Sequence, residues 1–309
     1  MKKNNLVKYF IFVLVLILVD QCIGTAISYF AQKQIRDNRI GLLIEGKIKS
    51  DICILGSSRA LNNYNPGILV DSLKKSCYNF GLSGSNILYH EALIELLIKS
   101  ANKPSVLIYS VDDHATFFDL QHIVFRKDAM LPYVYDETVN GIICKQLKKA
   151  EYATRFSKTY RENVNLINAL KFPVYGQEVL DYKTNSIDSL GANLLVQRDI
   201  DPKAEFRVNK WRLDKLKINV AYWSAFRRIQ EKCKASNIRI VFVLPPIYNN
   251  GYPGFKTILD KAILNDSPVI DYTYAFNDAD LFFNTDHLNS KGAALFTNLL
   301  VKDLKKLGF

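Results

Sequence analysis

The sequence predicts an α/β protein: a three-layer, mainly parallel sheet with an N-terminal transmembrane helix and a central helical insertion. Three observations carry that prediction. Short runs that are apolar on both faces alternate with stretches at helical spacing, as buried parallel strands and their crossover helices do. A long apolar run follows Lys2, Lys3 and Lys8 at the N-terminus. From about Ala115 to Lys210 the rhythm breaks into a segment rich in Tyr, Phe, Lys and Asn.

The apolar run extends from Tyr9 to about Ala31, interrupted by Asp20 and Gln21. At about 1.5 Å per residue it is long enough to cross roughly 30 Å of hydrocarbon. Lysines ahead of the run favour an N-terminus inside and a chain that continues outside; Lys33, Arg36 and Arg39 behind it weaken that bias. Residues 1–32 are therefore expected to be a single-pass anchor in the inner (cytoplasmic) membrane. Residues 33–309 then form an extracytoplasmic (periplasmic) domain, with 115–210 as its insertion or lid. A cleavable signal peptide is the alternative, because Gly24-Thr25-Ala26 is a small-x-small site. Cys22 follows Gln21 instead of a small residue, which fits a lipoprotein signal poorly. Asp20 costs about 2.5–3.5 kcal/mol on insertion scales, so it marks either the outer interface or a helix–helix contact.

After a polar, helix-like stretch (Gln32 to Lys49), Asp51–Leu55 reads as a buried strand that empties into the turn Gly56-Ser57-Ser58-Arg59. A weakly helical piece, Pro66 to Lys75, leads to a second strand, Cys77–Phe80, ending at Gly81. Leu88, Ala92, Leu93, Leu96 and Leu97 sit at helical spacing within Asn86–Ser100. Ser105–Ser110 and Ile238–Leu244 are further buried strands, the latter closed by Pro245 and Pro246. Val269–Tyr272 is a short fifth strand, and Ala293 to Leu307 a final amphipathic helix. Scattered helical pattern within the insertion covers Ala150 to Leu170.

A formal charge of +11 over 309 residues is spread along the chain instead of clustered among aromatics. That distribution argues against a nucleic-acid groove and fits a basic surface facing anionic lipid or polymer. The cysteines (Cys22, Cys53, Cys77, Cys144, Cys233) show no CxxC or His-paired spacing, so thiols are expected and a metal site is not. With no dinucleotide fingerprint and no P-loop, no cofactor is expected.

Two segments carry chemistry. A strand that stops in Gly-Ser-Ser puts the Ser58 hydroxyl at the carboxyl end of a sheet strand, where open α/β sheets bind ligands. Gly56 gives the turn its backbone freedom, and amides at the start of a following helix stabilise a developing oxyanion. The segment from Asn284 to Gly292 places His287 beside Asp286 just before the last helix. A neutral imidazole there accepts a serine proton, and a carboxylate orients the ring.

The ordered set of blocks resembles the SGNH/GDSL hydrolase family. It comprises the strand–GSS turn, N-x-G-x-x-G from Asn79 to Gly84, a third strand turn and a terminal DHLNxxGA. It is closest to the membrane-anchored cell-envelope branch whose first block reads GSSR, and the likeness covers about Asp51–Asp113 and Ile238–Leu300. The resemblance implies a flavodoxin-like sheet, Ser58 as nucleophile, His287 as general base, and the amides of Ser58 and Gly84 as oxyanion donors. Two positions depart from the family. Val111-Asp112-Asp113 stands where an asparagine usually offers its amide, so Asp112 occupies the block-three position with a group that repels an oxyanion unless protonated or turned away. The family's acid usually lies three residues before the histidine, where this chain has Asn284; Asp286 is the substitute at hand, and Asn284 is the other possible third member, able to hold the ring but a poor stabiliser of imidazolium.

The expected activity is acyl-ester chemistry, by an O-acetyl esterase or an O-acyltransferase, on a carbohydrate or other acylated substrate at the cell envelope. The alternatives are a catalytically impaired scaffold protein with a protein partner in an envelope polysaccharide assembly, and a generic α/β binding protein.

Overall fold

The computed structural model describes residues 2–32, 39–111, 114–118, 123–148, 152–163, 166, 187–196, 206, 216–248, 254–264 and 267–309. Five strands form one sheet: β1 (Ile52–Leu55), β2 (Cys77–Asn79), β3 (Val106–Ser110), β4 (Arg239–Leu244) and β5 (Val269–Asp271). Their order is β2-β1-β3-β4-β5, and every neighbouring pair is parallel, with Ile52 opposite both Cys77 and Val106. The expected parallel α/β architecture is present. The chain steps outward from β1 to β2 and then back across to β3, so the sheet's switch point lies between β1 and β3. Crevices at the carboxyl end of such a point bind ligands.

In chain order the described α-helices are α1 (Lys2–Gln32), α2 (Arg39–Ile44), α3 (Ser58–Asn63), α4 (Pro66–Leu73), α5 (Ile87–Lys99), α6 (Glu137–Leu147), α7 (Tyr152–Phe156), α8 (Lys158–Glu162), α9 (Val220–Ala235), α10 (Phe255–Asp260) and α11 (Ser290–Lys306). Asparagine side chains cap four of them. Asn65, Asn86, Asn219 and Asn289 accept from the amides of Ile68, Leu88, Tyr222 and Gly292 at 3.3, 3.0, 3.2 and 3.0 Å, each such cap being worth about 1 kcal/mol. The final helix thus begins at Ser290, ahead of the expected Ala293, because Asn289 caps it. Neither α9 nor α6 was anticipated from the sequence. Yet in α9 the buried Tyr222, Ala225, Phe226, Ile229 and Cys233 recur at helical spacing.

Alternation along the strands divides the core in two. Ile52, Ile54, Val106, Ile108, Val241 and Val243 pack with Ala60, Tyr64, Leu69 and, from α11, Phe296 and Leu300. The intervening side chains Tyr109 and Phe242 meet Phe226 of α9, with ring centroids 6.1 and 5.1 Å apart. Burying each of these large side chains contributes about 1.5–3 kcal/mol. Helix α9 also packs along α5, where the buried Glu91 carboxylate accepts from Arg228 Nη2 at 2.8 Å and Lys232 Nζ at 3.1 Å. Cys53, Cys77 and Cys233 are buried free thiols.

The chain divides into two compact units, one made of Met1–Ile40 and Lys127–Tyr182, the other of Gly41–Arg126 and Lys183–Phe309. The second holds the sheet. In the first, α1 is long and apolar enough over Asn5–Phe30 to cross a membrane or serve as a signal sequence. Its side chains from Leu6 to Val19 are exposed, whereas Gly24 and Ile27 are buried. The change comes at Asp20, whose carboxylate accepts from Ser157 Oγ at 2.7 Å and Lys158 N at 2.8 Å, while its carbonyl accepts from Thr159 Oγ1 at 2.9 Å. Gly24 lies one turn further on, where any Cβ would collide with Lys158. Within the expected helical stretch Ala150–Leu170, the described residues include α7 and α8, and α8 packs along α1.

Candidate active site

The turn after β1 and the loop before α11 meet in one cavity of about 440 Å³ in the sheet-bearing unit. Ser58 is the first residue of α3, directly beyond the carboxyl end of β1. Its Oγ lies 2.8 Å from His287 Nε2. The two residues that the sequence singled out as nucleophile and base are therefore in hydrogen-bond contact across 229 positions of chain.

The histidine loop is held from several sides. Leu288 N donates to the buried Asn63 Oδ1 at 3.0 Å, tying the loop to the end of α3, and Tyr248 N donates to Thr285 O at 3.0 Å. Asn284 Oδ1 accepts from the backbone amides of Asp286 and His287 at 3.0 and 2.9 Å, and lies 3.0 Å from His287 Nδ1. Two amides donating to one atom identify it as the oxygen of the side-chain amide. The ring must then carry its proton on Nδ1, which leaves Nε2 as an acceptor for the Ser58 proton.

Of the two candidates for the third position, Asn284 is the one bonded to the ring. Asp286 lines the cavity, and its carboxylate accepts from Thr285 Oγ1 at 3.3 Å. It acts on the ring only through its charge. His287 titrates at about 4: burial disfavours the imidazolium most, the Arg59 guanidinium adds to this, and Asp286 partly opposes both. The ring is therefore neutral, and competent as a base, throughout the physiological range.

Gly84 lines the same cavity in a left-handed conformation (φ +67°) that favours glycine, and a Cβ there would press on Arg126 Nη1. The preceding block is structural. Asn79 donates through Nδ2 to Ala60 O at 2.7 Å and accepts from Gly81 N at 2.8 Å, and a Cβ on Gly81 would collide with the backbone of Ala60 and Leu61. Close approach of the β2 turn to α3 is what brings Gly84 beside Ser58. Asp112, the departure from the family at the block-three position, lies outside the described residues.

Several cavity residues were not anticipated. His90, on α5, is buried, with Nε2 2.9 Å from Ser85 Oγ and Nδ1 2.8 Å from Tyr109 Oη. Ser85 Oγ donates to Gly56 O at 3.3 Å, so His90 donates to Ser85 and accepts from Tyr109. Burial holds His90 neutral, with its pKa pushed down to about 3. This chain braces the carbonyl of the Gly56 turn that presents Ser58. Ser110, at the end of β3, accepts from Tyr64 Oη at 3.0 Å and also lines the cavity, as do Arg59, Thr116 and Tyr222. No family model and no curated protein matches the chain.

Proposed function

We propose that this protein is an SGNH-type serine esterase or O-acyltransferase that acts on ester groups of a cell-envelope or extracellular polysaccharide. The observation that carries the reading is the 2.8 Å contact between Ser58 Oγ and His287 Nε2, with the ring's tautomer fixed from its far side by Asn284. The strand order β2-β1-β3-β4-β5, with Ser58 just beyond β1, supports the flavodoxin-like part of this reading. His287 Nε2 takes the Ser58 proton as Oγ attacks the acyl carbon, and the amides of Ser58 and Gly84 receive the oxyanion. Collapse expels the alcohol, which takes the proton back from His287. Water or a sugar hydroxyl then enters by the same route and frees the serine.

The helix α1 is retained as a single-pass anchor in the cytoplasmic membrane, with the remainder extracytoplasmic and the 115–210 stretch inserted into the α/β domain. Lys2, Lys3 and Lys8 support the orientation. Retention is supported by the contacts of Asp20 and Gly24 with Ser157–Thr159, because cleavage after Ala26 would remove both partners. Intact-mass measurement on the membrane-extracted protein checks this: an N-terminus at Ile27 would rule it out.

Full-length protein in detergent should be labelled by a fluorophosphonate and should hydrolyse p-nitrophenyl acetate, and Ser58→Ala and His287→Ala should abolish both. A protein that neither labels nor turns over would favour the scaffold reading. That second reading has one observation behind it, an amide and not a carboxylate on His287 Nδ1.

A further inference from the structure

Arg59 follows the nucleophile directly, lines the same cavity, and is close enough to His287 to push its pKa down. Its Nη1 is buried and has no hydrogen-bond partner among the described residues. By contrast, the buried Arg161 donates through Nη1 to Tyr135 Oη at 2.8 Å and to Thr154 O at 3.0 Å. Leaving a buried N–H of a charged guanidinium without an acceptor is costly. Placing that charge beside the catalytic base adds a second cost, since it works against the imidazolium that forms during proton transfer. Both costs are offset if a negatively charged acceptor for Nη1 arrives with the substrate.

We propose that Arg59 is the anion-binding residue of this cavity, and that the substrate carries an anionic oxygen group, carboxylate or phosphate, next to its ester. The inference rests on the Ser58–His287 reading of the site and narrows its substrate class to acidic glycans. A planar guanidinium accepts either anion in bidentate geometry. A bound anion would also cancel the field that Arg59 exerts on His287, so substrate binding itself would ready the ring to hold a proton.

Calorimetric titration of the full-length Ser58→Ala protein with glucuronate, glucose 6-phosphate and glucose tests the binding without requiring turnover. At least one anionic sugar should bind ten-fold or more tighter than glucose, and which one does identifies the anion. Adding Arg59→Gln should reduce that preference to three-fold or less, and Arg59→Lys should keep part of it. Melting curves establish that the variants are folded. No preference in the Arg59 protein, or a preference that survives Arg59→Gln, overturns the proposal. An Arg59-dependent preference in a protein whose Ser58 is never labelled would leave the anion site standing and sink the esterase reading. Turnover of neutral esters without any anion preference would do the reverse.

Discussion

Replacing Asn284 with Asp puts a full negative charge on the atom that now faces His287 Nδ1 at 3.0 Å. The backbone amides of Asp286 and His287 already donate to that position, so a carboxylate enters a ready-made set of donors and the loop has no reason to move. Opposite charges about 4 Å apart interact by about 4 kcal/mol at an effective dielectric of 20. The ring is only partly buried, so solvent reduces this, and a rise of about 1–2 pK units is the expected result. His287 would then titrate near 5–6 instead of about 4. It stays neutral at pH 7 and available as a base, while the imidazolium formed in the transition state gains roughly 1.4–2.8 kcal/mol. The expectation for Asn284→Asp is therefore an increase of about 10–100-fold in kcat/KM for p-nitrophenyl acetate at neutral pH. The acid limb of the pH–rate profile should move up by the same 1–2 units, because protonation of the ring is what removes the base. Initial rates between pH 4 and 8 measure both. A folded variant with unchanged kcat/KM and an unmoved limb would show that His287 is not the acting base, or that Asn284 is not its partner.

Asp286→Asn tests the other candidate. Because Asp286 reaches the ring only by charge, its loss should lower the acid limb slightly and cost less than about 5-fold in rate, whereas Asn284→Ala should cost about 10–100-fold through loss of tautomer control. Acid stability should report on His90 and His287, whose folded pKa values of about 3 and about 4 both lie below the unfolded value near 6.5. Their contributions are full above pH 6.5 and are lost as pH falls toward 3 and 4, the fully buried His90 giving the larger part, of order 3–5 kcal/mol. Thermal melts should show that slope beginning well above the carboxylate range, and a wild-type Tm flat from pH 7 to 4.5 would contradict it. Glu91, depressed by Arg228 and Lys232, adds its own loss only below about pH 4.3. Asp20→Ala strands the donors on Ser157 and Lys158 and should destabilise the α1–α8 packing by about 2 kcal/mol. Proteolysis within residues 152–163 should accelerate roughly 30-fold; an unchanged rate would show that the contact holds nothing in place.

How much of this was legible in the sequence follows from what each segment must bury. Strands β1, β3 and β4 are covered on both faces, so Ile52–Leu55, Val106–Ser110 and Ile240–Leu244 read as uninterrupted apolar runs. Helix α9 escaped notice because Arg227, Arg228, Glu231, Lys232 and Lys234 outweigh its apolar stripe in any local average, and two of those cations belong to a pairing with Glu91 that is invisible before α5 is in place. His90 reads as one more residue on an apolar helix face; only the folded positions of Tyr109, Ser85 and Gly56 give it a role.

The third position was legible only in part. Adjacency in sequence favoured Asp286, whose carboxylate accepts from Thr285 Oγ1, whereas the turn from Asn284 to His287 curls the earlier residue back onto Nδ1. Asn284 closes that turn and orients the imidazole with the same oxygen atom. An aspartate at this position would do both and add charge; an alanine would do neither. On the proposed function, the asparagine keeps the geometric part of a catalytic acid's task and gives up the electrostatic part. That exchange suits a cavity in which Arg59 already opposes the imidazolium and in which, on the proposal above, an anionic substrate brings the missing negative charge with it. A site built this way would be slow on neutral esters and quick only on acidic ones, so p-nitrophenyl acetate should underestimate it.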